Sequence, residues 1–250
     1  MSLQLYGNFV FINLKYAIEL NVIKSLKLTQ ETYMKRIVEP EVMDTVEAAE
    51  AYDAMAHGEV DEAFVDRVIE LGAKSGHFLD VGTGPAQIPI LFATRCPNVK
   101  ITAIDLSEEM LKIAEQHVRD SDLSRQIKLE HIDAKDLPYP DNCFDGLISN
   151  SIVHHIHDAL TALKEMGRVV KPNGIILIRD LIRPENLADA QRFVDTYASE
   201  DTPYQQKLYY DSFLAAFTIA EVKEMISQTD MTGGVVVQSS DRHWSIERSI

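Results

Sequence analysis

Cysteine is nearly missing from this sequence: Cys96 and Cys143 are the only two in 250 residues. Two thiols without a C-x-x-C spacing frame neither a disulfide scaffold nor a cysteine metal site, and they point to reduced thiols in a cytoplasmic protein. Positive charge is short as well. Lys and Arg number 24 against 39 Asp and Glu, a formal net charge of −15, which opposes a nucleic-acid partner because phosphate binding draws on a basic surface. Long hydrophobic runs are also lacking. Phe9 to Ile12 are apolar, but Asn8, Asn13, Lys15 and Glu19 interrupt them, so neither a signal peptide nor a membrane-spanning helix is expected. What remains is an ordinary globular composition, 46% hydrophobic and 25% charged, long enough for one α/β domain with an elaboration.

One further absence is local. The stretch His77-Phe78-Leu79-Asp80-Val81-Gly82-Thr83-Gly84-Pro85-Ala86-Gln87-Ile88 reads as strand, glycine loop and helix start. Such a loop can bring backbone N–H groups, at the positive end of a helix, against a polar or anionic ligand. A dinucleotide fingerprint G-x-G-x-x-G would put a glycine at position 87, and Gln87 stands there instead. The loop therefore reads as a nucleoside cofactor site that does not cradle a pyrophosphate.

The rest of the chain alternates. Apolar residues from Tyr52 to Leu71 recur at three- and four-residue spacing, predicting a helical region over 48–71 that Gly72 and Gly76 stop. Strands are predicted over 77–81, 100–106, 127–132, 144–149 and 175–180, with helices over 85–95, from the Ser107 cap onward, and over 159–170. Pro85 is placed in the first turn of its helix, and Lys171-Pro172-Asn173-Gly174 is read as a turn. Residues 184–217, rich in Tyr and Phe, are read as helices, and Thr218 starts one more. Segments 233–240 and 243–247 then form a hairpin at a sheet edge. Short strands alternating with helices imply parallel βαβ crossovers with helices on both faces of an open sheet. Residues 1–30 mix alternation with helical spacing and give no firm reading.

Three consecutive strands end in an acid: Asp80, Asp105 and Asp133. One aspartate at a strand end is most often a turn-former or helix cap, but three in register behind a glycine loop line the crevice at a topological switch point. From that position Asp105 can accept hydrogen bonds from both hydroxyls of a ribose, and Asp133 from an exocyclic amine.

The set Asp80-Val81-Gly82-Thr83-Gly84, Asp105-Leu106-Ser107-Glu108-Glu109-Met110-Leu111, His131-Ile132-Asp133-Ala134, Leu137-Pro138-Tyr139-Pro140-Asp141-Asn142-Cys143-Phe144-Asp145 and Val170-Lys171-Pro172-Asn173-Gly174 resembles the class I S-adenosylmethionine-dependent methyltransferases over about residues 77–182. Ala86 departs from the family's frequent third glycine. The resemblance implies a Rossmann-like three-layer α/β/α sandwich around a mostly parallel seven-stranded sheet ending in an antiparallel hairpin. Outside the resemblance, residues 1–50 are read as an N-terminal arm to a methyltransferase domain over 51–250, and the aromatics of 184–217 as a helical insertion that lines an acceptor pocket or fills a helical core. The resemblance implies S-adenosyl-L-methionine as cofactor: Gly82, Thr83 and Gly84 against the methionine and ribose, Asp80 toward the methionine ammonium, Asp105 on the ribose diol. Leu106 and Met110 would pack on adenine, Asp133 and Ala134 would meet its edge, and Asn150 would lie near the methionine end.

Methyl transfer from a sulfonium is a direct displacement, so a protein mainly aligns the nucleophile and excludes water. Where a proton must leave, the candidates are in the loop after the fourth strand: His155 first, His154 second, with pocket-wall packing as the rival reading of both. No metal site is expected, since neighbouring histidines point apart in most local geometries and no acid–histidine pattern completes a ligand set. Arg36 and Tyr52 are candidates to close the site, against plain packing roles, and His77 and His131 read as structural. Arg179 and Arg183 either meet an acidic acceptor or pair with Asp180 and Glu185. The expected acceptor is a small molecule. Macromolecular methylation, a non-catalytic cofactor-binding subunit and a nicotinamide-dependent dehydrogenase are the rivals, and a homodimer through the apolar arm stays open.

Overall fold

The computed structural model describes residues 34–39, 45–55 and 58–250; the readings placed on residues 1–33, including an arm-mediated dimer, lie outside them. The elements are α1 (Val46–Asp53), α2 (Gly58–Glu70), β1 (Ser75–Val81), α3 (Gln87–Arg95), β2 (Asn98–Asp105), α4 (Glu108–Asp120), β3 (Ile127–His131), β4 (Phe144–Asn150), α5 (Ala159–Val169), β5 (Val170–Leu181), α6 (Leu187–Tyr197), α7 (Pro203–Ala215), α8 (Ile219–Ile226), β6 (Val235–Gln238) and β7 (His243–Arg248). The strands form one sheet in the order β3-β2-β1-β4-β5-β7-β6. The pairings from β3 through to β5 are parallel, and β7 pairs antiparallel with both β5 and β6. This is the expected sandwich with its terminal hairpin. The order reverses beside β1, between β2 and β4, which opens a crevice at the carboxyl ends of the central strands.

Strand alternation divides the core into two layers. Leu79 and Val81 of β1, Leu147 of β4, and Ile176 and Ile178 of β5 pack with α5 and α8 through Leu163, Met166 and Val222. Phe78, Ile148, Ile175 and Leu177 face the other way, onto α2, α3 and α4 through Phe64, Val68, Phe92 and Ala114. Both faces of the strands are buried, which is why they read as near-continuous apolar runs. A third, smaller core joins Leu181 to Ala190 and Phe193 of α6 and to Phe213 and Leu214 of α7, with Met34 and Tyr209 against it. Both added helices are set by local chemistry. Asn186 caps α6, and Thr202 starts α7 with a capping box closed by Gln205.

Three expectations are corrected. The helical region over 48–71 is two helices, because α1 ends at Ala54 and the chain restarts at Gly58, a weak helix former. Helix α3 begins at Gln87, not Pro85, because Ala86 has φ +67° and so lies outside helical space. The turn read at Lys171–Gly174 is an irregularity inside β5. Pairing with β4 jumps from Val170↔Phe144 to Ile175↔Gly146, so the residues poor in strand propensity are passed over without ending the strand.

Candidate active site

The glycine loop leaves β1 with Gly82 at φ +73° and Gly84 at φ +53°. A Cβ on Gly82 would lie 2.5 Å from Ile152 Cγ1, so both the conformation and the space demand glycine there. The loop is tied down from β2: the N–H groups of Gly82 and Thr83 both donate to the Ile104 carbonyl at 2.9 Å. Asp105 completes the fastening. Its Oδ2 accepts from Gly84 N at 2.8 Å and its Oδ1 from Ser107 N at 2.9 Å, while Ser107 caps α4 through Met110 N. One carboxylate thus locks the loop to the next helix start. Burial raises its pKa while these backbone donors oppose the rise.

Two cavities open from this loop. The smaller, about 90 Å³, runs from Gly82 and Gly84 past Asp105, Leu106 and Met110 to Ile132, Asp133 and Ala134. The larger, about 380 Å³, runs from the same glycines past Asp61, Thr83 and Gln87 on one side. On the other it passes His154, Leu181, Tyr197, Leu208, Tyr209, Ser212, Arg242 and His243. Tyr52, Gly82, Gly84, Asn150, Ser151 and His155 line both, so the cavities meet there. Of the twelve site residues read from the sequence, eleven line one cavity or the other. The exception is Asp80, 3% exposed beneath the loop with its Oδ2 making no hydrogen bond. Burial pushes its pKa up to about 7, with the neighbouring charges of Asp105 and Asp61 adding to the rise. Asn150 Oδ1 is also buried and without a partner. Both atoms are acceptors without a hydrogen bond, and a ligand with a cationic or N–H group supplies what they lack. Asp133 holds its own turn, its Oδ1 accepting from Lys135 N at 2.9 Å.

The chamber's histidines are placed by contacts that sequence spacing does not show. Asp180, at the end of β5, accepts from His154 N at 2.9 Å and from His154 Nδ1 at 2.6 Å. Burial alone lowers a histidine's pKa, but the Asp180 charge overrides it and holds His154 above its ordinary value. His155 goes the other way: burial and the adjacent His154 push it down to about 3, and its Nδ1 lies 3.2 Å from Glu39 Oε2. His155 is therefore a poor proton acceptor at neutral pH, against its first rank in the sequence reading. The two rings do not point apart. Their centroids are 4.1 Å apart at 40°.

Glu39 arrives on a short extended segment that is firmly held. Ile37 N donates to Leu214 O at 2.9 Å, Arg36 Nε to Ala215 O at 2.6 Å, and Arg36 Nη2 to His154 O at 2.8 Å. The Arg36 guanidinium lies 4.0 Å over the Phe217 ring, and His157 Nε2 meets the Glu39 carbonyl at 2.9 Å. Arg36 thus ties this strap to the back of the His154 loop and lines neither cavity, while Tyr52 lines both. His77 and His131 are structural, bonded to Thr102 Oγ1 and Leu106 O at 2.9 Å. Arg183 pairs with Glu221 at 2.7 Å, and Arg179 reaches Ser245 Oγ at 3.4 Å, so neither makes the expected ion pair with Asp180 or Glu185. Sequence reading missed Asp61, Asp180 and the site role of Glu39. Asp180 was legible only as an acid at a strand end, two strands beyond the three that were weighed.

Residues 79–178 match the family model of the methyltransferase domain. The chain contains a methyltransferase domain over these residues. A demethylmenaquinone methyltransferase of Bacillus subtilis is 36% identical over 58% of this chain and 60% of its own length. The ubiquinone/menaquinone biosynthesis C-methyltransferase UbiE of Geotalea daltonii is 34% identical over 45% of the chain and 48% of its own length. The chain thus spans about half the length of the curated relatives it matches. An S-adenosylmethionine-dependent methyltransferase from Aquifex aeolicus shares the fold with a TM-score of 0.61 at 21% identity, covering 81% of this chain and 97% of that one. The unpartnered Asp80 and Asn150 acceptors fit a ligand that carries an ammonium group.

Proposed function

We propose that the chain transfers the methyl group of S-adenosylmethionine to a small-molecule acceptor held in the larger cavity. The observation that carries this is the junction: a narrow cleft suited to a nucleoside meets a roomier chamber at Gly82, Gly84, Asn150, Ser151 and His155. In this reading adenine packs between Leu106, Met110 and Ala134, with Asp133 at its edge. The ribose hydroxyls donate to the lone pairs that Asp105 keeps beyond its backbone donors. The methionine ammonium meets Asp80, directly or through a water, and Asn150 flanks the methionine end. Bound there, the cofactor supplies an electrophilic methyl group already activated by its sulfonium.

The chain's own work is alignment and exclusion of water. Tyr52 and the Gly82–Ile152 contact enclose the junction, and α6 and α7 roof the chamber as the substrate insertion read over 184–217. Tyr197, Tyr209, Leu181 and Leu208 offer apolar and aromatic lining, and Asp61, Glu200, Asp201, Ser212, Arg242 and His243 add polar and charged groups, which suits a small acceptor with both an apolar body and polar substituents. No helix among the described residues is long and apolar enough to cross a membrane. The quinone acceptors named for the two relatives do not carry over directly, because the chamber wall beyond residue 178 lies outside the matched family domain.

Calorimetry tests the cofactor assignment: S-adenosylmethionine and its demethylated product bind, and NAD does not. A preference for NAD defeats the reading. Incubating the full chain with methyl-labelled cofactor and a metabolite extract then separates an enzyme from a binding subunit. Label in a small molecule supports the proposal, and label only in protein or RNA overturns it.

A further inference from the structure

His154 presents an unusual half-satisfied imidazole. Its Nδ1 is committed to Asp180 at 2.6 Å, and Asp180 is further fixed by the N–H groups of His154 and Leu181, at 2.9 and 2.6 Å. A proton shared on that side leaves Nε2 as a lone pair, and Nε2 is buried with no hydrogen-bond partner in a residue only 2% exposed. A buried orphan of this kind calls for a ligand. Beside His154 stand His155 and Glu39, and one ligand atom from each of the three residues lies within 4.8 Å of the others. Glu39 Oε2 and His155 Nδ1 are already 3.2 Å apart, close to the separation of about 3.4 Å that neighbouring ligands take around a tetrahedral ion with bonds of about 2.1 Å.

We propose that Glu39, His154 and His155 form a binding site for one divalent transition-metal ion of the zinc class, on the wall where the larger cavity meets the cofactor cleft. Two imidazoles and one carboxylate are a donor set of borderline softness, suited to zinc and its neighbours and poorly suited to calcium or magnesium. The carboxylate–imidazole contact of Asp180 is the outer-sphere arrangement that fixes a metal-binding histidine's tautomer and raises its basicity. Glu39 is held for the task by its backbone: His157 binds its carbonyl, and Ile37 and Arg36 pin the segment to the end of α7. Three protein ligands leave at least one position open, and since His154 and His155 both line the larger cavity, that position faces it. A water or an oxygen of the acceptor, from a hydroxyl, phenol or carboxylate, would complete the sphere. This last assignment rests on reading the cavity as the acceptor chamber, while the metal site itself does not.

The untagged full chain, stripped with a chelator, is titrated with Zn²⁺ by calorimetry and with Co²⁺ by visible absorption, with no cofactor or acceptor present. The expected result is one ion per chain, with cobalt bands of a low-coordinate nitrogen–oxygen site. His131→Gln, a histidine on the far strand, leaves both unchanged, while Glu39→Gln and His155→Asn abolish stoichiometric binding. Asp180→Asn keeps the stoichiometry and weakens binding by about 10–100-fold, the scale of a lost outer-sphere contact. Circular dichroism verifies that each variant is folded. Should the native chain take up no stoichiometric ion, or should folded Glu39→Gln and His155→Asn bind it as the native chain does, the proposal is wrong. Because S-adenosylmethionine binding is measured separately, either proposal can fail without the other.

Discussion

The cofactor cleft takes Gly82, Gly84, Asp105 and Asp133 from the carboxyl ends of three neighbouring parallel strands, each a few residues from the strand that aims it. The larger chamber takes His154, Leu181, Tyr209, Ser212 and Arg242 from a loop, a strand end, a helix and a hairpin turn. All the strand-end residues of the cleft fall inside the matched family domain of residues 79–178, and nearly half of the chamber's lining lies beyond it. One wall lies within the matched domain, while the other draws heavily on residues outside it. That is the physical form of the rule that sites, not folds, decide chemistry.

The comparison breaks most sharply at Gly82. Gly82→Ala forces a Cβ into Ile152 at a positive φ, and should cost about 2–4 kcal/mol of stability from combined strain and overpacking, with cofactor binding lost. Chemical denaturation and calorimetry check this, and a variant as stable as the native chain means the loop is not so tightly enclosed.

A paired substitution comes next. Asp105→Ala should weaken S-adenosylmethionine by about 1–3 kcal/mol, the scale of charge-assisted hydrogen bonds, and leave the acceptor's KM nearly unmoved. Tyr209→Ala should do the reverse, raising the acceptor's KM with the cofactor's Kd unchanged. Equal effects of both variants on both constants would show that the walls are not separate.

Asp80 gives a smaller, pH-dependent effect. Its folded pKa of about 7 lies above the ordinary 3.8, so between those values the folded chain holds a proton that the unfolded chain has released. Stability of the cofactor-free chain therefore falls as pH rises from about 4 to about 7. Cofactor affinity moves oppositely, strengthening as pH rises through about 7 and the carboxylate forms to meet the ammonium. Asp80→Asn should flatten both profiles. An affinity profile that stays steep in this variant would move the ammonium elsewhere.

The smallest effect is expected at Ala86, buried at φ +67° where glycine is at ease. Ala86→Gly relieves about 1–2 kcal/mol of left-handed strain but gives up a buried methyl worth about 0.8 kcal/mol. Thermal unfolding should therefore shift only slightly upward, and a marked loss would mean that the methyl's packing governs the position.

Much of the cleft was legible because its signals are local. Ser107 announces the start of α4 and Gln87 excludes the dinucleotide loop, each within one turn of chain. The misread elements failed where context overrides propensity. Lys171-Pro172-Asn173-Gly174 has every mark of a turn, yet β4 and β7 hold the flanking residues in one strand. His155 was placed before His154 as a proton acceptor, and its burial against His154 argues against that order.

The sequence by itself determined the sheet and the convergence of glycine loop and strand-end acids on one cleft, since strand period, glycine placement and strand-end acids are properties of short segments. Tertiary structure alone decided what surrounds the histidines. Asp180 reaches His154 from 26 residues away and Arg36 reaches its carbonyl from 118 away. Contacts of that span are set by the packing of strap, strand and helix onto one another, and no local pattern of residues encodes them.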